Sequence, residues 1–135
     1  MSETTTTKGI ITKVMSVHEF HEVFKIGNAT ELNIPAEREY MLRYNLIKEE
    51  TDEYLDACRK GDITEIADAL GDQLYIIFGT ILKHGLQHKI EEVFDEIQRS
   101  NMSKLGEDGN PIYREDGKVM KGPNYFKPDF SVILK

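Results

Sequence analysis

A chain of 135 residues can carry one domain with its own core and is too short for two of ordinary size. Its formal net charge of -7 excludes a general nucleic-acid binder, which needs basic surface for a phosphate backbone. No run reaches the roughly 18 apolar residues of a membrane span, Met1 to Lys13 has no apolar signal core, and the lone Cys58 excludes an intrachain disulfide and a cysteine zinc site. The expectation is a cytoplasmic protein with neither a membrane nor a nucleic acid as partner.

Residues 2–8, Ser-Glu-Thr-Thr-Thr-Thr-Lys, are polar and of low complexity, which predicts a frayed end within a flexible N-terminus at residues 1–15. From Ser16, a plausible cap, Val17, Phe20 and Phe24 fall at helical spacing and predict a short first helix that Gly27-Asn28 ends. A loop to Pro35 precedes a long periodic segment from about Ala36 to Lys60, and Gly61-Asp62 breaks it. Asp62 then caps a third helix over about Ile63 to His84, whose Ala67, Leu70, Leu74, Ile77, Phe78 and Ile81 form an apolar stripe. Gly85 closes it, and Ile90, Val93, Phe94 and Ile97 mark a fourth helix from about Gln87 to Ser100.

Beyond Asn101 the turn dipeptides Asp108-Gly109 and Asp116-Gly117 predict a small hairpin or irregular tail. The expected fold is an all-α antiparallel helical bundle over residues 16–100 with a tail over 101–135. A bundle so small, with so apolar a third helix, is expected to complete its core by oligomerising.

The acids of the second and third helices carry the chemistry. At 100° per residue Glu50 and Glu53 lie on the same side as Leu42, Leu46 and Ala57, the side expected to face the core. Ionised carboxylates there need compensation, and no run of Lys or Arg matches them. Glu65, Asp68 and Asp72 share a meridian of the third helix that continues through Ile76 and Gly79, which suggests that this meridian too is covered. If the helices pack antiparallel about Gly61, Glu53 comes opposite Asp68 or its vicinity, and four carboxylates converge. Hard oxygen ligands without a cysteine or an evident histidine select Mg²⁺ or Mn²⁺, and such a metal suits phosphate chemistry. Glu49 is the candidate general base or water-positioning group, with Asp72 as its rival or as a support to the metal ligands. The other reading of the same acids is a solvated face, which is the reading for Asp52 and Asp56.

Cys58 reads as a small buried apolar group, and His18 and His21 as ordinary residues of an amphipathic helix. His84 and His88 read as a surface pair. Phe20 and Phe24 could stack on a base, although their spacing favours the core.

Glu49-Glu50-x-x-Glu53 followed by Glu65-x-x-Asp68 resembles the paired acidic signature of the all-α nucleoside triphosphate pyrophosphohydrolases, the MazG-like and phosphoribosyl-ATP pyrophosphohydrolase-like enzymes. The lead-in Arg43-Tyr-Asn-Leu-Ile-Lys-Glu-Glu and the later Ser100-Asn-Met-Ser-Lys104 are similar to that family as well, so the likeness spans roughly Val17 to Leu134. The resemblance implies hydrolysis of a nucleoside or deoxynucleoside triphosphate between the α and β phosphates. The products would be a monophosphate and pyrophosphate, and the task control of a nucleotide pool. It implies Glu50, Glu53, Glu65 and Asp68 as metal ligands, Asp72 as a possible further one, and two or more Mg²⁺ or Mn²⁺ ions per site. It also implies a homodimer or homotetramer, which suits the undersized core. The chain departs from the pattern in its short spacer between the motifs. It also has Asp72 where the histidine-biosynthesis branch has a histidine, which points away from that pathway.

Residues 16–100 then read as the catalytic domain, and the tail as the part that completes the nucleotide site. Among its donors Asn101, Lys104, Lys118, Lys121 and Tyr125 are the candidates for substrate, with Arg114 a further cation. The rival from another class is a non-catalytic helical interaction module whose acids dock a basic partner. A phosphatase or phosphodiesterase using the same acids would differ only in its products.

Overall fold

The computed structural model describes residues 9–135, so the frayed end expected at residues 2–8 lies outside the described residues. Its helices are α1 (Ile10–Val23), α2 (Glu37–Lys60), α3 (Ile63–Lys83) and α4 (Ile90–Met102). The chain divides into two compact units, Met1–His88 with α1, α2 and α3, and Lys89–Lys135 with α4 and the tail.

In the first unit α2 and α3 form a tight antiparallel hairpin. Gly61 takes the left-handed conformation (φ 69°) that ends α2, and Asp62 Oδ1 accepts the backbone N–H groups of Thr64 at 3.0 Å and Glu65 at 3.2 Å, as its capping role requires. The direction follows from the cross-helix bonds. Gln73 reaches Thr51 at 3.3 Å near the turn, and Arg43 reaches Thr80 at 3.1 Å farther from it. The closed core lies between α1 and α3, where Val14, Val17 and Leu82 are fully buried and Ile10, Ile11 and Phe78 pack around them. Each such side chain contributes about 1.5–3 kcal/mol by leaving water.

Four expectations need correction. The first helix begins at Ile10, not at Ser16, because the stripe that meets α3 includes Ile10, Ile11 and Val14; the Ser16 hydroxyl lies mid-helix and donates to the Thr12 carbonyl at 3.4 Å. Residues 10–15 are therefore helix and not a flexible end. Cys58 is exposed, since the turn of α2 that reaches inward does so at Ala57. Phe20 and Phe24 are exposed, stacked on each other at 4.4 Å, and α1 buries Val17 and His21 in their place.

The fourth correction concerns α3, whose C-terminal half from Leu74 to Leu82 is apolar on several sides, so that periodicity alone does not choose its inward side there. Leu70, Leu74 and Ile77 of the expected core stripe are 44%, 54% and 40% exposed. The meridian expected to be covered is so only at its Ile76 and Gly79 end, which meets α2, whereas Asp72 is half-buried and Glu65 and Asp68 are exposed.

In the second unit the tail forms the expected small hairpin. Tyr113 and Val119 make an antiparallel bridge, the Arg114 N–H donates to the Lys118 carbonyl at 2.8 Å, and Gly117 turns the chain at φ 91°. Among the described residues the regular structure is otherwise helical, an all-α fold with a short hairpin in its tail.

Candidate active site

The seam that α2 presents to α3 runs through every seventh residue: Arg43 and Ala57 are its buried residues, and Glu50 lies midway, half-buried. Two turns of helix bring i and i+7 back to the same face, so a half-buried acid is built into the contact between the helices. Glu50 Oε1 is shut off from solvent and has no hydrogen-bond partner. Burial holds its carboxyl above the ordinary range, and the charges of Glu53, Asp72, Asp68 and Glu49 raise it further, in that order. Glu50 is thus the centre of a field made by acids of both helices.

Of the four acids expected to converge, Glu50, Glu53, Glu65 and Asp68, the charges of Glu53 and Asp68 act on Glu50, together with those of Asp72 and Glu49, while Glu53 and Asp68 themselves are exposed. Glu65 is drawn aside, its Oε1 accepting from Lys60 Nζ at 3.3 Å in an exposed ion pair. Asp52 and Asp56 are exposed, as a solvated face should be. Among the described residues no three His, Cys, Asp or Glu side chains are gathered into a ready metal site. The donor set nonetheless suits a hard divalent cation, because it is all carboxylate and includes a buried oxygen that nothing else satisfies.

Beside the acids lies a constellation that sequence reasoning missed. Arg43, only 6% exposed, donates from Nε to Thr80 Oγ1 at 3.1 Å and from Nη2 to the Ile76 carbonyl at 2.9 Å. His21, 2% exposed, has its Nδ1 at 3.0 Å from Asn28 Oδ1 and 3.2 Å from the Gly27 carbonyl. Both side chains close over Gly79, which has no side chain to obstruct them. A helical histidine spaced with Val14 and Val17 was the available signal, and its polarity argued against burial.

Desolvation lowers the pKa of His21, and the nearby charges of Arg43 and Lys83 lower it further against the hydrogen bonds that oppose them. A depressed folded value means that the unfolded chain takes the proton first. Stability is therefore whole above the unfolded value of about 6.5 and is lost as pH falls through the folded one. Urea midpoints should drop between pH 7 and pH 5, and His21→Asn should remove that part of the slope. An unchanged slope in the variant would assign it to other groups.

A cleft of about 610 Å³ opens along the N-terminal half of α2, among Arg38, Glu39, Leu42, Asn45 and Lys83. None of Glu49, Glu50, Glu53, Asp68 and Asp72 lines it, and its Lys83 is engaged with Glu39 at 3.1 Å and the Ile26 carbonyl at 3.0 Å.

In the second unit a cavity of about 410 Å³ is lined by Asn101, Met102, Lys104, Leu105, Pro111 and Val119, so two candidate substrate donors share one concavity. Lys121 Nζ lies 4.9 Å above the Tyr125 ring, and the backbone at Gly122 runs against the Lys104 and Leu105 carbonyls. Lys118 stands apart on the hairpin, exposed and outside that lining. Arg114 is spent on Asp116 through a two-pronged ion pair at 2.9 and 2.6 Å.

The fold is all-α, and its paired helices each carry an acidic step, Glu49-Glu50-x-x-Glu53 on α2 and Glu65-x-x-Asp68 on α3. The family model for phosphoribosyl-ATP pyrophosphohydrolase matches residues 17–101, and the chain belongs to that family. It is also similar, at 44% identity over 50 residues, to an uncharacterised protein of Acanthamoeba polyphaga mimivirus; the match takes in 36% of this chain and 20% of that protein's length. A crystal structure of a candidate NTP pyrophosphohydrolase from Exiguobacterium sp. 255-15 shares 26% identity over 89% of each chain, with a TM-score of 0.44.

Proposed function

We propose that this protein is a metal-dependent pyrophosphohydrolase that cleaves a nucleoside or deoxynucleoside triphosphate between its α and β phosphates, releasing the monophosphate and pyrophosphate in control of a cytoplasmic nucleotide pool. The observation that carries the reading is the buried, unpartnered Oε1 of Glu50 amid Glu49, Glu53, Asp68 and Asp72. A carboxylate oxygen buried without a partner is costly until a cation joins it, and membership of the family supplies the reaction class.

Glu50, Glu53, Asp68 and Glu65 are the proposed ligands for two or more Mg²⁺ or Mn²⁺ ions, with Asp72 as an added or supporting ligand. Glu65 can leave Lys60 cheaply, because an exposed pair of this kind is worth about 0–1 kcal/mol. The bound metal would neutralise phosphate charge and lower the pKa of water. Glu49, exposed beside the buried acid, is free to orient the attacking water and take its proton. Asn101, Lys104, Lys118, Lys121 and Tyr125 are the proposed donors to the triphosphate. Lys104 and Tyr125 are half-buried, which limits their freedom before substrate arrives.

The uncovered row of Leu70, Leu74 and Ile77 supports a homo-oligomer, a dimer or tetramer, because contiguous apolar surface of this kind is ordinarily covered by a partner. The test incubates a panel of canonical and modified triphosphates with Mg²⁺ or Mn²⁺ and resolves the products by chromatography, with sedimentation of the same sample. Monophosphate with pyrophosphate, abolished by chelation, is the expected result. Orthophosphate would make the protein a phosphatase, no turnover by folded protein would favour an acidic docking module, and sedimentation as a monomer would remove the oligomer.

A further inference from the structure

One face of α4 is devoted to holding the tail. Glu96, Arg99, Ser100 and Ser103 recur at helical spacing, and together they engage residues 126–129. Ser100 Oγ, on a residue only 2% exposed, donates to the Phe126 carbonyl at 2.8 Å. Ser103 Oγ accepts the Phe126 N–H at 3.1 Å and donates to the Ser100 carbonyl at 2.5 Å. Both backbone groups of Phe126 are therefore consumed by two serine hydroxyls. The Arg99 guanidinium lies 4.4 Å from the Phe126 ring centroid and is fixed there by two bonds of 3.0 Å to Glu96, whose Oε2 also accepts the Asp129 N–H at 2.8 Å.

Four residues upstream the chain is pinned a second time. A Cβ at Gly122 would collide with the Leu105 carbonyl and come within 2.7 Å of that of Lys104, so the backbone passes there in direct contact with the end of the α4 segment. The stretch from Gly122 to Phe126 is thus tethered at both ends. Tyr125 lies within it, and Lys121, its Nζ 4.9 Å above the Tyr125 ring, immediately precedes the Gly122 that meets the Lys104 carbonyl.

We infer that the Ser100–Ser103 clamp on Phe126 is a positioning device for substrate: it fixes Lys121 and Tyr125 beside Lys104 so that the tail donors meet a triphosphate already arranged. This rests on the triphosphate reading above and adds to it two serines that touch no substrate themselves. A pre-fixed donor set spares the binding step the cost of ordering several long side chains, so its loss appears in affinity. The chemical step, which depends on the acids, keeps its rate once substrate is saturating.

The test compares Ser103→Ala with Ser103→Thr, which keeps the hydroxyl, and adds Ser100→Ala as an independent break of the same clamp. Steady-state kinetics are measured with the best triphosphate. Calorimetry gives the affinity for its non-hydrolysable α,β-methylene analogue, and hydrogen exchange reports the Phe126 amide. Ser103→Ala should raise KM and the analogue's Kd by about tenfold, leave kcat within about twofold, and speed exchange at Phe126. Ser103→Thr should restore all three, and Ser100→Ala should raise KM as Ser103→Ala does. Unchanged KM and Kd with a deprotected Phe126 amide would make the clamp merely structural, and unchanged exchange would dissolve it. Wild-type turnover with unaltered KM in the alanine variants overturns the clamp alone. A wild-type protein that neither binds nor hydrolyses triphosphates overturns it together with the reading of function.

Discussion

Glu50→Gln is expected to remove triphosphate turnover while making the metal-free protein more stable. Glutamine keeps the shape of the side chain and exchanges a buried negative oxygen for a neutral amide group. The folded chain then loses a charge that burial opposes and that Glu53, Asp72, Asp68 and Glu49 all repel. Relief of such a site is worth about 1 kcal/mol, which raises Tm by a few degrees in a chain of this length. Turnover should fall at least about 100-fold, since even the groups that merely orient a metal ligand cost about 10–100-fold when removed.

The decisive comparison is thermal denaturation with chelator and with Mg²⁺. A cation that binds only the folded state adds stability in proportion to its occupancy, so Mg²⁺ should raise the Tm of wild-type protein and leave Glu50→Gln where the chelator left it. Equal turnover in the variant would remove Glu50 from the site. A lower Tm with chelator would mean that the carboxylate has a stabilising partner, against its orphaned Oε1.

What the chain discloses without its structure follows the range of the forces involved. Asp62 and Gly61 are legible because a cap and a left-handed turn are settled within four residues. The acidic steps are legible because spacing on a helix is geometry, and the antiparallel register follows from the short loop. The choice of face is not. Leu70, Leu74 and Ile77 read as core on hydropathy, yet α3 meets α2 through Ile76 and Gly79, and only tertiary packing distinguishes those sides. Phe20 lost its place in the core to His21 for the same reason, since the side of α1 that follows Val14 and Val17 reaches Asn28 and Gly79 through a histidine. Lys60, an exposed cation adjacent to the turn, could have been foreseen as a competitor for Glu65 at five residues' separation.

Gly79→Ala should be the most damaging single-methyl change in the first unit. The new Cβ would lie 2.6 Å from Arg43 Nη2 and 2.8 Å from His21 Nε2, closer than real side chains approach. Both neighbours are flexible in isolation and fixed here, Arg43 by Thr80 and the Ile76 carbonyl, His21 by Asn28 and Gly27. Making room means breaking those bonds in a site closed to water, at a combined cost of about 3 kcal/mol and a fall in Tm of about 10 °C. A double-mutant cycle with Arg43→Ala separates the arginine's share of the crowding from the rest: once the guanidinium is gone, the alanine at position 79 should cost about 1 kcal/mol less, the remaining cost lying with His21. Strict additivity would mean that Arg43 is not what the methyl displaces. The consequence reaches the acids, because Arg43 is seven residues from Glu50 on the same face of α2. A shift of the seat over Gly79 is expected to turn that helix, and with it Glu50 relative to Asp68 and Asp72. Turnover of Gly79→Ala should therefore fall at temperatures where the variant is still fully folded, and full activity in the folded variant would detach the arginine's seat from the alignment of the acids.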